Sequence, residues 1–190
     1  MSEPLARTIP RWAARRTAAV LPCGVDLDRF RPTPRTEARA ALGLDPQQPY
    51  LLFAADPSRP EKRYDRALEV AGDVPLLALG GVDPAQVPLW VNAANAVLVP
   101  SEREGFGLAV LEALACDVPV LATPVGIHPE ALAGVEGTYC GPFDRDAWRD
   151  ALTPHLARDD PRIEGRARAE RFSTDAMAAR VVEAWRGLLR

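Results

Sequence analysis

The feature that most restricts the fold is a strand–turn–helix–strand pattern over residues 96–124. Ala96-Val97-Leu98-Val99 is an unbroken apolar run closed by Pro100. Gly105 and Gly107 make a tight turn that opens a helix near Leu108, running to about Ala115. Val118–Ala122 is a second apolar run, ended by Thr123-Pro124. Strands read as unbroken rather than alternating apolar runs when helices cover both faces of their sheet.

The alternation of strand and helix continues on either side. Strands are expected at Tyr50–Ala55, Pro75–Leu79 and Gly137–Cys140. Helices are expected from Pro34 to Gly43, over Lys62–Ala71 with Tyr64, Leu68 and Ala71 along one side, over Val87–Ala94 and over Asp144–Leu156. Arg162–Phe172 is expected to continue helically. Ser173 or Thr174 then caps a last helix with Met177, Val181, Trp185 and Leu188 in helical period. Such a chain implies an α/β fold class with a doubly wound parallel sheet. Its ligands bind at the carboxyl ends of the strands.

A glycine turn feeding a helix offers a phosphate free N–H groups and the positive end of the helix dipole. Here those amides belong to Gly105, Phe106, Gly107 and Leu108. Glu104 lies just before the turn. Glu112 lies inside the helix, with Leu108, Ala109, Ala115 and Cys116 three or four residues away. A carboxylate on that apolar stripe needs a partner, and ligand hydroxyls would serve. With a diphosphate on the turn, Glu104 reaches to one side and Glu112 to the other, a shape that fits sugar, diphosphate and ribose. Ser101 and Glu104 also spell a capping box, although Gly105 and Gly107 would break the helix it caps. All but one of the 23 basic residues are arginine, the exception being Lys62. Arg59, Lys62 and Arg63 cluster where a helix is expected to begin, which the dipole disfavours unless an anion binds between them. A solvated basic loop is the alternative.

Glu104-Gly-Phe-Gly-Leu-Ala-Val-Leu-Glu112, with Pro-Ser before it and Cys-Asp-Val-Pro-Val after it, resembles the E-x7-E motif of retaining GT-B glycosyltransferases of family 4. The resemblance runs from roughly Val20 to the C-terminus. Pro22–Pro32 is similar to the segment that enters the family's C-terminal domain, with Cys23 where Asn is usual. Thr123–Glu130 is similar to its Val-Gly-Gly-Ile-Pro-Glu turn, with His128 expected as a loop residue that orders the turn.

The resemblance implies the Rossmann-like half of a GT-B fold. The sheet is expected to be abridged, because the connection between Leu79 and Ala96 is too short for the extra helix and strand usual in relatives. Residues 1–19 are expected to be a leader or connector, and 20–190 a nucleotide-sugar-binding domain. By the same resemblance Glu104 and Lys62 are the catalytic residues. Lys62 and Arg59 hold the donor diphosphate, Arg59 standing two residues from the family's usual position. Glu104 holds sugar hydroxyls, Glu112 the ribose, and the Gly81–Asp83 loop lies near the base.

The implied reaction moves a sugar from a nucleoside-diphosphate sugar to an acceptor with retention. It needs no metal and no cofactor besides that co-substrate, and neither glutamate acts as nucleophile. The acceptor-binding N-terminal domain or partner subunit finds no room here, so this donor half is expected to be inactive alone. A non-catalytic nucleotide-sugar sensor is the alternative. An unrelated dinucleotide binder is disfavoured, since the first strand–helix turn lacks Gly-x-Gly-x-x-Gly.

Composition narrows the rest. A hydrophobic content of 47% and a formal charge of −3 do not describe a bulk nucleic-acid binder. No run of eighteen apolar residues predicts a membrane span, and the N-terminus lacks a signal pattern. Arg7, Arg11, Arg15 and Arg16 surround Trp12, and a short helix at Arg11–Ala18 would serve as a solvated connector or touch an anionic membrane surface. Cys23, Cys116 and Cys140 are expected as reduced thiols in a cytoplasm. His128 and His155, with no Cys/His cluster, argue against structural zinc.

Overall fold

The computed structural model describes residues 21–188, so the expected leader over 1–19 and its helix lie outside the described residues. The strands are β1 (Leu51–Phe53), β2 (Leu76–Ala78), β3 (Ala96–Val99), β4 (Val120–Ala122) and β5 (Tyr139–Cys140). All pair in parallel, in the order β2-β1-β3-β4-β5. In that doubly wound order the direction of winding reverses between β1 and β3, which places a ligand crevice at their carboxyl ends.

The helices are α1 (Arg35–Leu42), α2 (Tyr64–Ala71), α3 (Val87–Ala93), α4 (Leu108–Ala115), α5 (His128–Leu132), α6 (Arg145–Leu156), α7 (Arg166–Ala169) and α8 (Thr174–Leu188). Successive strand residues point to opposite faces. Leu52, Val97, Val99 and Val120 join Val91, Val110, Leu111 and Leu114 on one face. Leu51, Phe53, Leu98 and Leu121 join Ala67, Val70, Trp148 and Leu152 on the other. Both faces are covered, as the unbroken apolar runs require.

Two expected helices are shorter than the sequence suggests. Over 62–71, Pro60–Lys62 is a 3₁₀ turn, Arg63 sits in the left-handed region at φ 59°, and α2 starts only at Tyr64. Over 162–172, α7 starts at Arg166. Asp117 holds the preceding residues off the helix: its carbonyl accepts from Ile163 N at 3.0 Å, and its Oδ1 accepts from Gly165 N and Arg166 N at 2.9 and 2.7 Å. A distant side chain thus caps α7. The stripe on α8 is not a core face either, since Met177 and Val181 are half-buried and Trp185 is 64% exposed. Leu68 is 48% exposed, so the apolar side expected of α2 runs instead through Ala67, Val70 and Ala71.

Arginines fasten the chain's entry to its later part. Arg162 donates to Thr33 O and Asn92 Oδ1 at 2.6 and 3.0 Å. Arg166 donates to Leu27 O and Phe30 O at 3.0 and 2.9 Å. Val25 and Ser173 form a parallel bridge, with Val25 N donating to Phe172 O and Thr174 N to Val25 O. Gly24 is required there, because a Cβ on it would lie 2.5 Å from Thr174 Cα. Arg39 is wholly buried, its guanidinium donating to Ala93 O, Pro46 O and Asn95 Oδ1. Burial lowers its pKa to about 10.

Candidate functional site

The loops after β1 and β3 meet at the carboxyl end of the sheet, where the winding reverses. The loop after β1 carries Lys62. Because Pro60–Lys62 is a separate turn, Lys62 is not part of α2 and points across to the loop after β3. Its Nζ donates to both carboxylate oxygens of Glu104, each at 2.7 Å. The two side chains are 14% and 7% exposed, so little water screens the pair. Ser101 Oγ donates to Glu104 Oε1 at 2.8 Å, and Glu102 N donates to Glu61 O at 2.9 Å, tying the two loops together. Ser101 and Glu104 therefore do meet, but side chain to side chain and not as the cap of a helix. Two of the ammonium's three N–H groups are taken, leaving one for a ligand.

The other cations do not converge on Lys62. Arg59 is bound to Glu61 at 2.6 Å and its side chain is 56% exposed. Arg63 pairs with Asp65 at 2.6 Å and with Glu102. Both line a separate depression with Pro57, Tyr64 and Leu68, and neither Lys62 nor Glu104 contributes to its wall. Each cation of the expected trio is thus already paired with a carboxylate.

The glycine turn has the expected form. Gly107, at φ 108°, is the N-cap of α4, with no side chain capping the helix. The first amides of α4 therefore remain available to an anion. Phe106 is buried in the core and its carbonyl accepts from Ile127 N at 2.8 Å, anchoring the turn from below. Gly126, at φ 60°, packs so closely that a Cβ would lie 2.4 Å from Phe106 O and 3.0 Å from Glu104 Cβ.

His128 is not a loop residue. It is the first residue of α5, wholly buried beneath the turn. Its Nδ1 lies 2.8 Å from Thr123 O, and since a carbonyl only accepts, Nδ1 carries the proton. Nε2 is then a buried acceptor with no partner among the described residues. A Cβ on Gly107 would lie 2.6 Å from it. Burial holds the imidazole below its ordinary pKa, against a raising influence from Thr123 O and Glu104. Thr123 Oγ1 donates in turn to Ser101 O. Glu104, Lys62, Gly107 and His128 thus form one packed group. The sequence pairs Ser101 with Glu104 by spacing, but His128 and Thr123 join them only through the parallel pairing of β3 and β4.

Glu112 stands apart, one helical turn beyond Leu108, which is 38% exposed. Burial raises the Glu112 carboxyl pKa, and the charge of Arg29 partly offsets this. No side-chain hydrogen bond or ion pair reaches that carboxylate among the described residues. Arg29 comes from the turn after Val25 and donates to Pro84 O, bringing the loop after β2 to the same end of the sheet. Lys62 with Glu104 on one side of the glycine turn, and Glu112 with Arg29 on the other, are what the described residues offer a ligand. Among them, no group of three or more His, Cys, Asp or Glu side chains is placed to hold a metal. No described helix is long and apolar enough to cross a membrane.

A parallel sheet of this order, with an acid–glycine–helix crevice at the reversal of its winding, defines a doubly wound α/β domain whose ligand site lies at that reversal. The chain belongs to the group 1 glycosyl transferases, whose family model matches residues 43–158. It is 32% identical over 209 residues to the D-inositol 3-phosphate glycosyltransferase of Xylanimonas cellulosilytica, covering 87% of this chain and 50% of that protein. The enzyme of the same name from Mycobacterium avium is 36% identical over 180 residues, 77% of this chain and 42% of its own length. The chain thus spans about half the length of the curated relatives it matches.

Among solved structures, sucrose-phosphate synthase from Thermosynechococcus elongatus superposes with a TM-score of 0.73 at 26% identity, over 94% of this chain and 55% of that one. Anabaena HepE in complex with UDP and glucose gives 0.71 at 17% identity, over 92% and 58%, a likeness of fold. The C-terminal domain of a group 1 glycosyl transferase from Francisella tularensis gives 0.60 at 21% identity, over 82% of this chain and 97% of that domain. The fold is therefore the Rossmann-like half of a GT-B glycosyltransferase.

Proposed function

We propose that this chain is the donor-binding half of a retaining glycosyltransferase that takes its sugar from a nucleoside-diphosphate sugar. The observation that carries the proposal is the Lys62–Glu104 pair at the foot of an uncapped helix N-terminus, where β1 and β3 diverge. The diphosphate lies over the amides of Gly105–Leu108, with the remaining N–H of Lys62 beside it. These donors stabilise the charge that builds on the leaving group. Glu104 receives sugar hydroxyls on one side. Glu112 receives the ribose on the other, which relieves a carboxylate that burial otherwise disfavours. The Gly81–Asp83 loop lies toward the base. One solved neighbour of the same fold is a complex with UDP and glucose, which supports a uridine diphosphate as the first candidate to test.

Arg59 has no direct part in this reading, since Glu61 holds it in a separate depression. The acceptor is proposed to bind to an N-terminal domain or partner subunit outside these 190 residues, and transfer is proposed to need both halves. The exposed Trp185 and Val182 of α8 are an apolar face suited to that contact.

The test is calorimetry with nucleoside diphosphates and nucleotide-sugars on the purified chain, followed by an assay with labelled donors and a panel of acceptors. Saturable diphosphate binding without transfer is expected. Glu112→Ala should weaken free diphosphate and sugar nucleotide alike, by roughly 1.5–3 kcal/mol, whereas Glu104→Ala should weaken only the sugar nucleotide. Equal losses for both ligands in both variants would sink the assignment. Sustained transfer by the isolated chain would overturn the half-enzyme reading.

A further inference from the structure

A second cavity, of about 660 Å³, lies at the opposite end of the sheet from the glycine turn. It sits where the chain enters β5, between the 134–137 turn, the C-terminal end of α6 and the first residues of α7. Its wall carries four arginines, Arg158, Arg162, Arg168 and Arg171, against Glu136 and Glu164, an excess of positive charge. The arginines are not equivalent. Arg162 spends its guanidinium on Asp160, Asn92, Cys116 O and Thr33 O, and Arg168 donates to Glu130 O and Ala133 O. Arg158 and Arg171 make no side-chain hydrogen bond or ion pair among the described residues, although both line the cavity.

A third observation is independent of the arginines. His155, at the end of α6, is 8% exposed and lines the same cavity, and its Nδ1 is buried without a hydrogen-bond partner. The imidazole also interacts with the Gly137 backbone, which raises its pKa against the lowering by burial, so His155 fixes the wall of the cavity at the 134–137 turn. Gly137, at φ 78°, shapes this wall: a Cβ there would lie 2.6 Å from Ile163 Cγ2 and 3.4 Å from His155 Cε1.

We propose that this cavity is a second ligand site, distinct from the crevice at the carboxyl ends of the strands, which takes a small phosphate monoester, its phosphate held by Arg158 and Arg171. Planar guanidinium forks match phosphate oxygens two at a time. Glu136 and Glu164 have no cation within salt-bridge distance among the described residues, and they supply acceptors for hydroxyl groups beside the phosphate. The class that satisfies both halves of the wall is a sugar or polyol phosphate, and an inorganic phosphate satisfies only the basic half. The cavity lies at the amino ends of the strands, and Lys62 and Glu104 at the carboxyl ends, so each site is open without the other.

The test is calorimetry on the whole chain at low ionic strength with two probes, inorganic phosphate and a hexose 6-phosphate. Saturable binding is expected for both, tighter for the hexose phosphate. Arg158→Ala/Arg171→Ala should weaken both at least tenfold. Both side chains are exposed and unbonded, so the variant should keep the circular dichroism and melting temperature of the parent. Lys62→Met, which disables the crevice at the carboxyl ends, should leave both affinities unchanged. The proposal fails if neither probe saturates at millimolar concentration, if the arginine variant binds like the parent, or if the binding disappears with Lys62→Met. Failure of nucleotide binding in that last variant would leave this site untouched, so the two readings fall separately.

Discussion

Replacing Lys62 by Met removes one partner of a pair that is 14% and 7% exposed and keeps most of the side-chain volume. At 2.7 Å the gross Coulomb attraction is about 6 kcal/mol for an effective dielectric of about 20. Much of that offsets the cost of taking both charges from water, so the net worth of the pair is far smaller. Removing one partner is different, because the Glu104 carboxylate is left buried with only the Ser101 hydroxyl as a partner. Such deletions cost ~3–5 kcal/mol, and the retained Ser101 bond points to the lower end, about 3 kcal/mol. The double variant Lys62→Met/Glu104→Leu leaves no orphan charge and should recover at least half of that. Urea unfolding of the parent, both single variants and the double variant gives the interaction energy directly. A Lys62→Met loss below about 1 kcal/mol would mean an ordinary surface pair. A double variant whose loss equals the sum of the two single losses would mean that the groups act independently. Either result would refute the view that one buried pair joins the two loops.

Two further outcomes follow from the same site. Gly107→Ala should destabilise by roughly 2–4 kcal/mol, from the strain of its φ and the clash with His128, and by only ~1–2 kcal/mol in a His128→Ala background, where the clash is gone. Equal costs in both backgrounds, read by urea melts, would disprove the contact. Glu112 has a carboxyl pKa raised above its ordinary 4.5, so the parent should lose stability as pH climbs through and above that value, when the unfolded chain ionises first. Glu112→Gln should therefore melt higher than the parent at pH 7 but not at pH 4, while binding nucleoside diphosphate less tightly. A lower melting temperature at pH 7 would contradict it.

The sheet was legible because unbroken apolar runs have few other uses, and each expected strand is present within a residue or two at its ends. The glycine turn and α4 were legible for a similar reason, since Gly105 and Gly107 cannot continue a helix without a break and so mark where one begins. What could not be read was anything fixed by strand order. Lys62 and Glu104 are separated by 42 positions, and only the adjacency of β1 and β3 brings them together. The false helical start at Lys62 has the same origin, because Arg63 adopts φ 59° as the loop crosses to β3. Arg162–Gly165 looks helical in composition, but Asp117 outcompetes the local ladder for their amides. His128 looks like a turn residue until β4 is seen to carry Thr123 beside it.

The bridge between Val25 and Ser173 also decides how the body bears force. The two hydrogen bonds there join segments running in the same direction, Val25 N to Phe172 O at 2.8 Å and Thr174 N to Val25 O at 3.0 Å. A pull applied upstream of Gly24 and downstream of Thr174 draws those segments oppositely along their own axes. The load falls on both bonds together, as shear, instead of opening them one after another. The sheet and the crevice lie on the closed length of chain between the two bridged residues and stay outside the path of tension. Whatever turns or tugs on this body through its two connections acts at one clamp of two bonds. The geometry of the crevice is thereby insulated from that motion until the clamp gives way.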